Sequence, residues 1–134
     1  MLRKPKQYIW QQIRCILLIK KGLKILNRTF IEVPSFTAKW QALGLTDDDL
    51  RTLQIILLKD PKTGDTISGT GGLRKIRIPT ESTGKRGGGR VIYVDIEVKE
   101  CIYLLNVYTK KEKLDLSKKE KKMLKKLVEI LKED

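Results

Sequence analysis

The stretch that decides the fold is residues 69–94, GTGGLRKIRIPTESTGKRGGGRVIYV. Two strand-like runs are joined here by a glycine-rich segment, which is typical of a β-hairpin with a long loop. Alternate side chains of a strand share a face, so Lys75 and Arg77 are predicted on one face and the isoleucines between and after them on the other. Arg90 opens the second run, and the hairpin would bring it near that pair. The pattern predicts three cations over one sheet surface, a site shaped for phosphate.

Further strands surround this hairpin. They are predicted at residues 28–33, 73–79, 90–98 and 101–109, with a brief edge pairing at 66–68. The last three long runs follow one another with polar or glycine-rich turns, which indicates an antiparallel meander.

Three helices are predicted as well. Ser35 is expected to cap the first, which Gly44 ends, and Thr46 begins the second. Ser117 and Glu120 have the spacing of a capping box and begin the last helix. The predicted apolar faces are Phe36, Trp40 and Leu43 in the first helix, Leu50, Leu53, Ile56 and Leu57 in the second, and Met123, Leu124, Leu127, Val128 and Leu131 in the last. The order predicts an α+β domain: an N-terminal strand and two helices packed on an antiparallel meander sheet, then a C-terminal helix.

The amino-acid composition excludes several classes of catalytic and metal-binding site. The 134 residues carry a net charge of +13 and include no histidine, which excludes histidine-based triads and metal sites. The two cysteines are isolated and match no zinc or redox spacing. Catalysis would have to use lysine, arginine, tyrosine or carboxylates, and no metal or cofactor is expected. Local positive charge favours nucleic acid or an acidic protein as partner, and no apolar run is long enough to span a membrane.

The N-terminal part, residues 1–26, carries seven basic and no acidic residues. We interpret it as a basic extension outside the domain, which would occupy residues 27–134. Its apolar spacing leaves two alternatives open: a basic amphipathic helix or a poorly packed appendage.

At this point the sequence resembles the RelE/HigB superfamily of bacterial toxins, in its HigB-like branch, over about residues 27–131. The resemblance rests on four segments in order: FIEVPSFT, KDPKTGDTISGTGGLRKIRIP, GKRGGGRVIYVD and LLNVYTKKEKLDLS. It implies a cytoplasmic endoribonuclease that cleaves mRNA on translating ribosomes. It also implies a cognate antitoxin, which is expected to be a helix-turn-helix protein. The toxin would contact operator DNA only through this antitoxin.

The resemblance also assigns residues. The catalytic lysine of the family falls on Lys75, its neighbouring cation on Arg77, its next-strand arginine on Arg90 and a further cation on Lys111. The cations expected to hold RNA or the ribosome are Arg74, Lys85, Arg86, Lys110 and Lys113. The family's tyrosine would fall near Leu116 or Ser117, where this sequence has none, and Tyr93 and Tyr108 are the other tyrosines considered for its role.

Such a site suits attack of an RNA 2′-hydroxyl on the adjacent phosphate. Arg77 and Arg90 would stabilise the phosphorane, Lys75 would remove the hydroxyl proton, and Lys111 would neutralise the leaving oxygen. Two alternatives remain open: a ParE-like toxin that inhibits DNA gyrase without cutting RNA, and a non-catalytic protein that binds RNA or the ribosome.

Overall fold

The computed structural model describes the backbone of residues 10–19, 22–80 and 85–133, and the side chains of residues 27–79 and 88–133. Within these ranges the chain forms three α-helices and one six-stranded mixed sheet. The strands are β1 (Trp10–Ile19), β2 (Gly22–Glu32), β3 (Asp65–Thr66), β4 (Arg74–Thr80), β5 (Lys85–Ile96) and β6 (Cys101–Thr109). The helices are α1 (Pro34–Ala42), α2 (Asp47–Lys59) and α3 (Lys118–Glu133). No helix of the described chain has the length and apolar character needed to cross a membrane.

The strand order in the sheet is β1-β2-β6-β5-β4-β3. The segment β4–β5–β6 is the predicted antiparallel meander. β2 joins it by pairing parallel to β6, and β1 pairs antiparallel to β2. The α+β prediction is confirmed.

The structure of the N-terminal segment contradicts one of the two alternatives predicted for it, the amphipathic helix. Residues 10–19 and 22–32 pair along a β-hairpin, so the amphipathic-helix interpretation of this segment was wrong. A continuous apolar run such as 15–19 fits a strand as well as a helix, and here pairing with β2 decides between them. The boundary placed after residue 26 falls inside β2, and the division into extension and domain stays a prediction.

The two faces of the sheet carry separate cores. α1 and α2 cover one face, where Phe36, Leu53 and Leu57 are fully buried against the sheet. α3 covers the other face through Val128, which packs near Ile92. Two residues expected on inner helix faces lie outside: Ile56 is 42 % exposed and Met123 is 62 % exposed. In α2 the buried side chain next to Leu57 is Leu58, because the helix is rotated slightly from the predicted stripe.

Local capping sets the helix starts. The backbone N–H of Asp49 donates to the Thr46 hydroxyl, and the Asp49 carboxylate accepts from the Thr46 N–H, which confirms the predicted start of α2. The predicted cap of α1 was wrong, since the helix begins at Pro34 and Ser35 is already inside it. Proline suits this first position because its missing N–H has no partner there.

Candidate functional site

Three cations share one face of the sheet. Arg77 on β4 lies directly opposite Arg90 on β5, and Lys75 lies two residues before Arg77. Alternate residues of a strand project to the same side, and so do directly opposed residues of neighbouring strands. Ile76 and Ile78 pack on the other side, in the core beneath α1 and α2. The alternation read from the sequence is confirmed.

The three cations line a common cavity of about 330 Å³. Its wall consists of Thr63, Gly64, Asp65, Lys75, Ile76, Arg77, Arg90 and Leu114. Arg90 is buried, Lys75 is half-buried and Arg77 is exposed. The wall carries three cations and the carboxylate of Asp65, so its charge is positive on balance. A concave surface with an excess of positive charge is suited to hold an anion.

A turn at residues 61–64 forms one wall of the cavity, and hydrogen bonds to Tyr93 hold this turn in place. The buried Tyr93 hydroxyl donates to the Pro61 carbonyl and accepts from the Gly64 N–H, both at 2.9 Å. Burial raises the pKa of this phenol, so it stays protonated and keeps its donor. Arg74 donates to the carbonyl of Gly64 at 2.8 Å. Arg74 and Tyr93 therefore hold this wall, and the RNA contact expected of Arg74 stays a prediction.

Glycine is required at position 64 of this wall. A Cβ there would lie 2.8 Å from the Tyr93 ring and 3.0 Å from the carbonyl oxygen of Lys75. The turn can approach β4 and β5 this closely only without a side chain, which brings its next residue, Asp65, beside the cations.

Lys75 has an acidic partner that the sequence did not indicate. The Asp115 carboxylate lies 3.6 Å from the Lys75 ammonium and 3.6 Å from that of Lys121 on α3. The pKa of Asp115 is lowered, first by a hydrogen bond from the Leu116 N–H and then by the charges of these two lysines. Asp115 is therefore negatively charged at neutral pH and forms an ion pair with Lys75.

The loop between β6 and α3 forms the opposite side of the site. Lys113 pairs with Glu120 at the start of α3 and lies 5.1 Å from the centre of the Tyr108 ring. The Glu120 carboxylate also accepts from the Ser117 N–H, which confirms the predicted capping box together with the bond from the Glu120 N–H to the Ser117 hydroxyl. Lys113 thus anchors the loop, and Leu114 follows it at the edge of the cavity.

Among the described side chains, the predicted cations Lys110 and Lys111 lie apart from the cavity wall. Lys110 and Lys111 are exposed in the turn after β6, and Lys111 is not among the residues that line the cavity. Lys85 and Arg86 begin β5, but their side chains lie outside the described residues. The roles given to these four residues stay predictions.

The position expected for the family's tyrosine does not face the site. Leu116 is 5 % exposed and packs in the core beneath α3, and Ser117 caps that helix. Tyr108 is also buried, and its hydroxyl has no hydrogen-bond partner among the described residues.

The sequence analysis missed two acidic residues, Asp65 and Asp115. Asp115 reaches Lys75 through a long-range contact. The edge pairing expected at 66–68 forms instead at Asp65–Thr66, one residue earlier, and this register sets Asp65 opposite Lys75. Neither residue belongs to a periodic pattern, so no local signal marks it. The described residues hold no group of three or more acidic or cysteine side chains placed to bind a metal ion.

The α+β domain thus carries on its sheet a cavity with three cations, which is suited to an anion. A family model described as the RelE toxin of the RelE/RelB toxin–antitoxin system matches residues 38–133, more than two thirds of the chain. The chain therefore belongs to the RelE toxin family. It is a toxin of a toxin–antitoxin module, and membership implies an antitoxin partner.

Proposed function

We propose that this toxin is a metal-independent endoribonuclease that cleaves mRNA, on translating ribosomes in the cytoplasm, by attack of a 2′-hydroxyl on the adjacent phosphate. The observation that carries the proposal is the shared cavity of Lys75, Arg77 and Arg90. Family membership supports it, since RNA cleavage is the activity that the sequence resemblance implies.

Arg77 and Arg90 lie directly opposite each other on neighbouring strands, and this pairing supports an anion-binding function. Like charges directly opposite in a sheet are destabilising, so a pair of arginines here indicates a surface that an anion neutralises. A guanidinium binds phosphate oxygens through a planar fork of donors, and two of them can hold the crowded oxygens of a phosphorane. Because the nucleophile belongs to the RNA, the protein has to supply charge stabilisation and proton transfer, and a metal is not required.

Cations outside the cavity extend the proposed RNA-binding surface. Lys110 and Lys111 are exposed beside the loop that carries Leu114, and the backbone of Lys85 and Arg86 lies at the start of β5. We assign to them contacts with substrate phosphates or ribosomal RNA, and to Lys111 neutralisation of the leaving 5′-oxygen. Arg74 and Lys113 support the site through the turn and the loop that they anchor.

The proposed partner is a cognate antitoxin of the helix-turn-helix type, which would give the toxin its contact with operator DNA. An antitoxin that presents acidic side chains to the cationic cavity would neutralise the charge that RNA needs. The assignment to the HigB-like branch is part of the same proposal.

The test is cleavage of a defined mRNA in a translation extract by the wild-type protein, Lys75→Ala, Arg90→Ala and the control Arg51→Ala. Arg51 is exposed on α2, which covers the opposite face of the sheet. We expect loss of about 10²–10³-fold for each cavity variant, 2′,3′-cyclic phosphate ends on the products, and no change in the control. Unchanged cleavage in both cavity variants would refute the site. Intact mRNA with blocked gyrase supercoiling would replace the nuclease proposal by the gyrase alternative.

A further inference from the structure

We infer that Asp65 is the general base of the proposed cleavage, accepting the proton of the attacking 2′-hydroxyl, in place of Lys75. The inference rests on the proposed function. Asp65 lines the cavity with Lys75, Arg77 and Arg90, and among the described residues of that wall it alone carries a carboxylate.

The backbone holds Asp65 in a defined position. β3 pairs Asp65 directly opposite Lys75, so both side chains lie on the face of the sheet that carries the cavity. The preceding residue, Gly64, is tied through its N–H to Tyr93 and through its carbonyl to Arg74. A carboxylate placed by strand pairing on one side and a fixed turn on the other is preorganised for a reaction that needs a defined geometry.

The groups that line the cavity differ in their capacity to accept a proton. Arg77 and Arg90 carry guanidinium groups, which have N–H donors and no acceptor. The Lys75 Nζ lies 3.6 Å from the carboxylate of Asp115, which itself lies 3.6 Å from the Nζ of Lys121 on α3. Lys75 is thus engaged in an ion pair, and Asp65 is the described wall residue that offers carboxylate oxygens to the 2′-hydroxyl.

The proton and electron balance of the step is simple. An Asp65 oxygen takes the proton of the 2′-hydroxyl while the O2′–P bond forms. The P–O5′ bond then breaks, its electron pair stays on the leaving oxygen, and that oxygen takes a proton from water. Asp65 returns its proton to water, so the protein ends unchanged. Lys75, Arg77 and Arg90 neutralise the phosphorane throughout.

Two substitutions separate the two candidate bases. Asp65→Asn keeps the size of the side chain and removes its basicity, so we expect cleavage to fall by about 10²–10⁴-fold with RNA binding equal to or tighter than wild type. Lys75→Arg keeps a cation that cannot act as a base, so we expect cleavage within about tenfold of wild type. Glu129→Gln, an exposed acid on α3, removes the same charge away from the cavity and should leave cleavage unchanged.

The pH dependence gives an independent readout. With a carboxylate as base, the cleavage rate of the wild type should be level from about pH 6 to about pH 9, since free carboxyl groups are ionised over that range. With a lysine base it should rise about tenfold per pH unit through the neutral range. Retained RNA binding by Asp65→Asn shows that the variant is folded, and Asp65→Ser serves as a second variant if it is not.

Cleavage by Asp65→Asn within about threefold of wild type would overturn the inference, as would an inactive Lys75→Arg beside an active Asp65→Asn. A wild-type protein that cuts no RNA would refute the proposed function itself, and with it this assignment. The two failures are therefore distinguishable from the wild-type measurement alone.

Discussion

Arg77 and Arg90 lie directly opposite each other on neighbouring antiparallel strands, and both line the same cavity. Like charges at directly opposite positions of neighbouring strands are destabilising in general. We therefore expect the arginine pair to lower the stability of the protein, as is common where function requires clustered charge.

Replacing Arg77 by threonine should separate stability from function. The substitution removes the repulsion and introduces a β-branched residue suited to a strand, so we expect the free energy of unfolding to rise by about 0.2–1 kcal/mol. Cleavage should fall sharply in the same variant. Urea denaturation and the mRNA assay measure the two effects, with Arg51→Gln as a control that changes neither. A less stable Arg77→Thr would show that the arginine pair is not repulsive.

Tyr93 and Tyr108 form a matched pair for testing the cavity wall. Tyr93→Phe leaves the Gly64 N–H and the Pro61 carbonyl without their partner, and a buried group left in this way costs about 1–3 kcal/mol. Tyr108→Phe removes a hydroxyl that has no hydrogen-bond partner among the described residues, so it should be close to neutral. Thermal denaturation of both variants checks the difference, and equal losses would contradict the role of the Tyr93 hydroxyl.

Glu120 should contribute stability that depends on pH. Lys113 and the Ser117 N–H lower its pKa from 4.5 to about 2 in the folded protein. A lowered folded-state pKa gives stability that is present above about pH 4.5 and is lost as the pH falls toward 2. Glu120→Gln keeps the capping oxygen and removes the charge.

Because the Glu120 side chain is 34 % exposed, solvent screening reduces the expected loss in Glu120→Gln at neutral pH to about 1 kcal/mol. The difference from wild type should shrink between about pH 6 and about pH 3, as followed by urea denaturation. A difference that stays constant over this range would mean that the charge of Glu120 is not its cause.

The contribution of Glu32 to stability should depend on pH in the opposite direction from that of Glu120. Burial raises the pKa of this carboxyl above 4.5, and among the described residues its Oε2 has no hydrogen-bond partner. A raised folded-state pKa for an acid means that stability is greatest below pH 4.5 and falls as the pH rises through the folded-state value. Glu32→Gln keeps an oxygen for the Thr37 hydroxyl and removes the buried charge.

We therefore expect Glu32→Gln to be about 1 kcal/mol more stable than wild type near neutral pH, with no advantage below about pH 4. Thermal denaturation at the two pH values measures this. A variant less stable at both values would show that the buried carboxylate is stabilised by the fold.

The sequence by itself determined the features that depend on neighbours along the chain. Alternation of cations and isoleucines placed Lys75 and Arg77 on one face, because a strand repeats every two residues. The cap residues Thr46 and Ser117 marked two helix starts, because their side chains bond to backbone groups three residues away. The order of these elements, together with four sequence segments that occur in the same order, indicated the family.

The tertiary structure alone decided what joins distant segments. The parallel pairing of β2 with β6 and the contact between Asp115 and Lys75 link residues far apart in sequence. The pairing of Asp65 with Lys75 joins consecutive strands, but its register differs by one residue from the predicted edge pairing. Such contacts form because the whole sheet and its two cores pack together, and no local periodicity encodes them. The cations of the site could therefore be predicted from the sequence, and the two carboxylates near them could not.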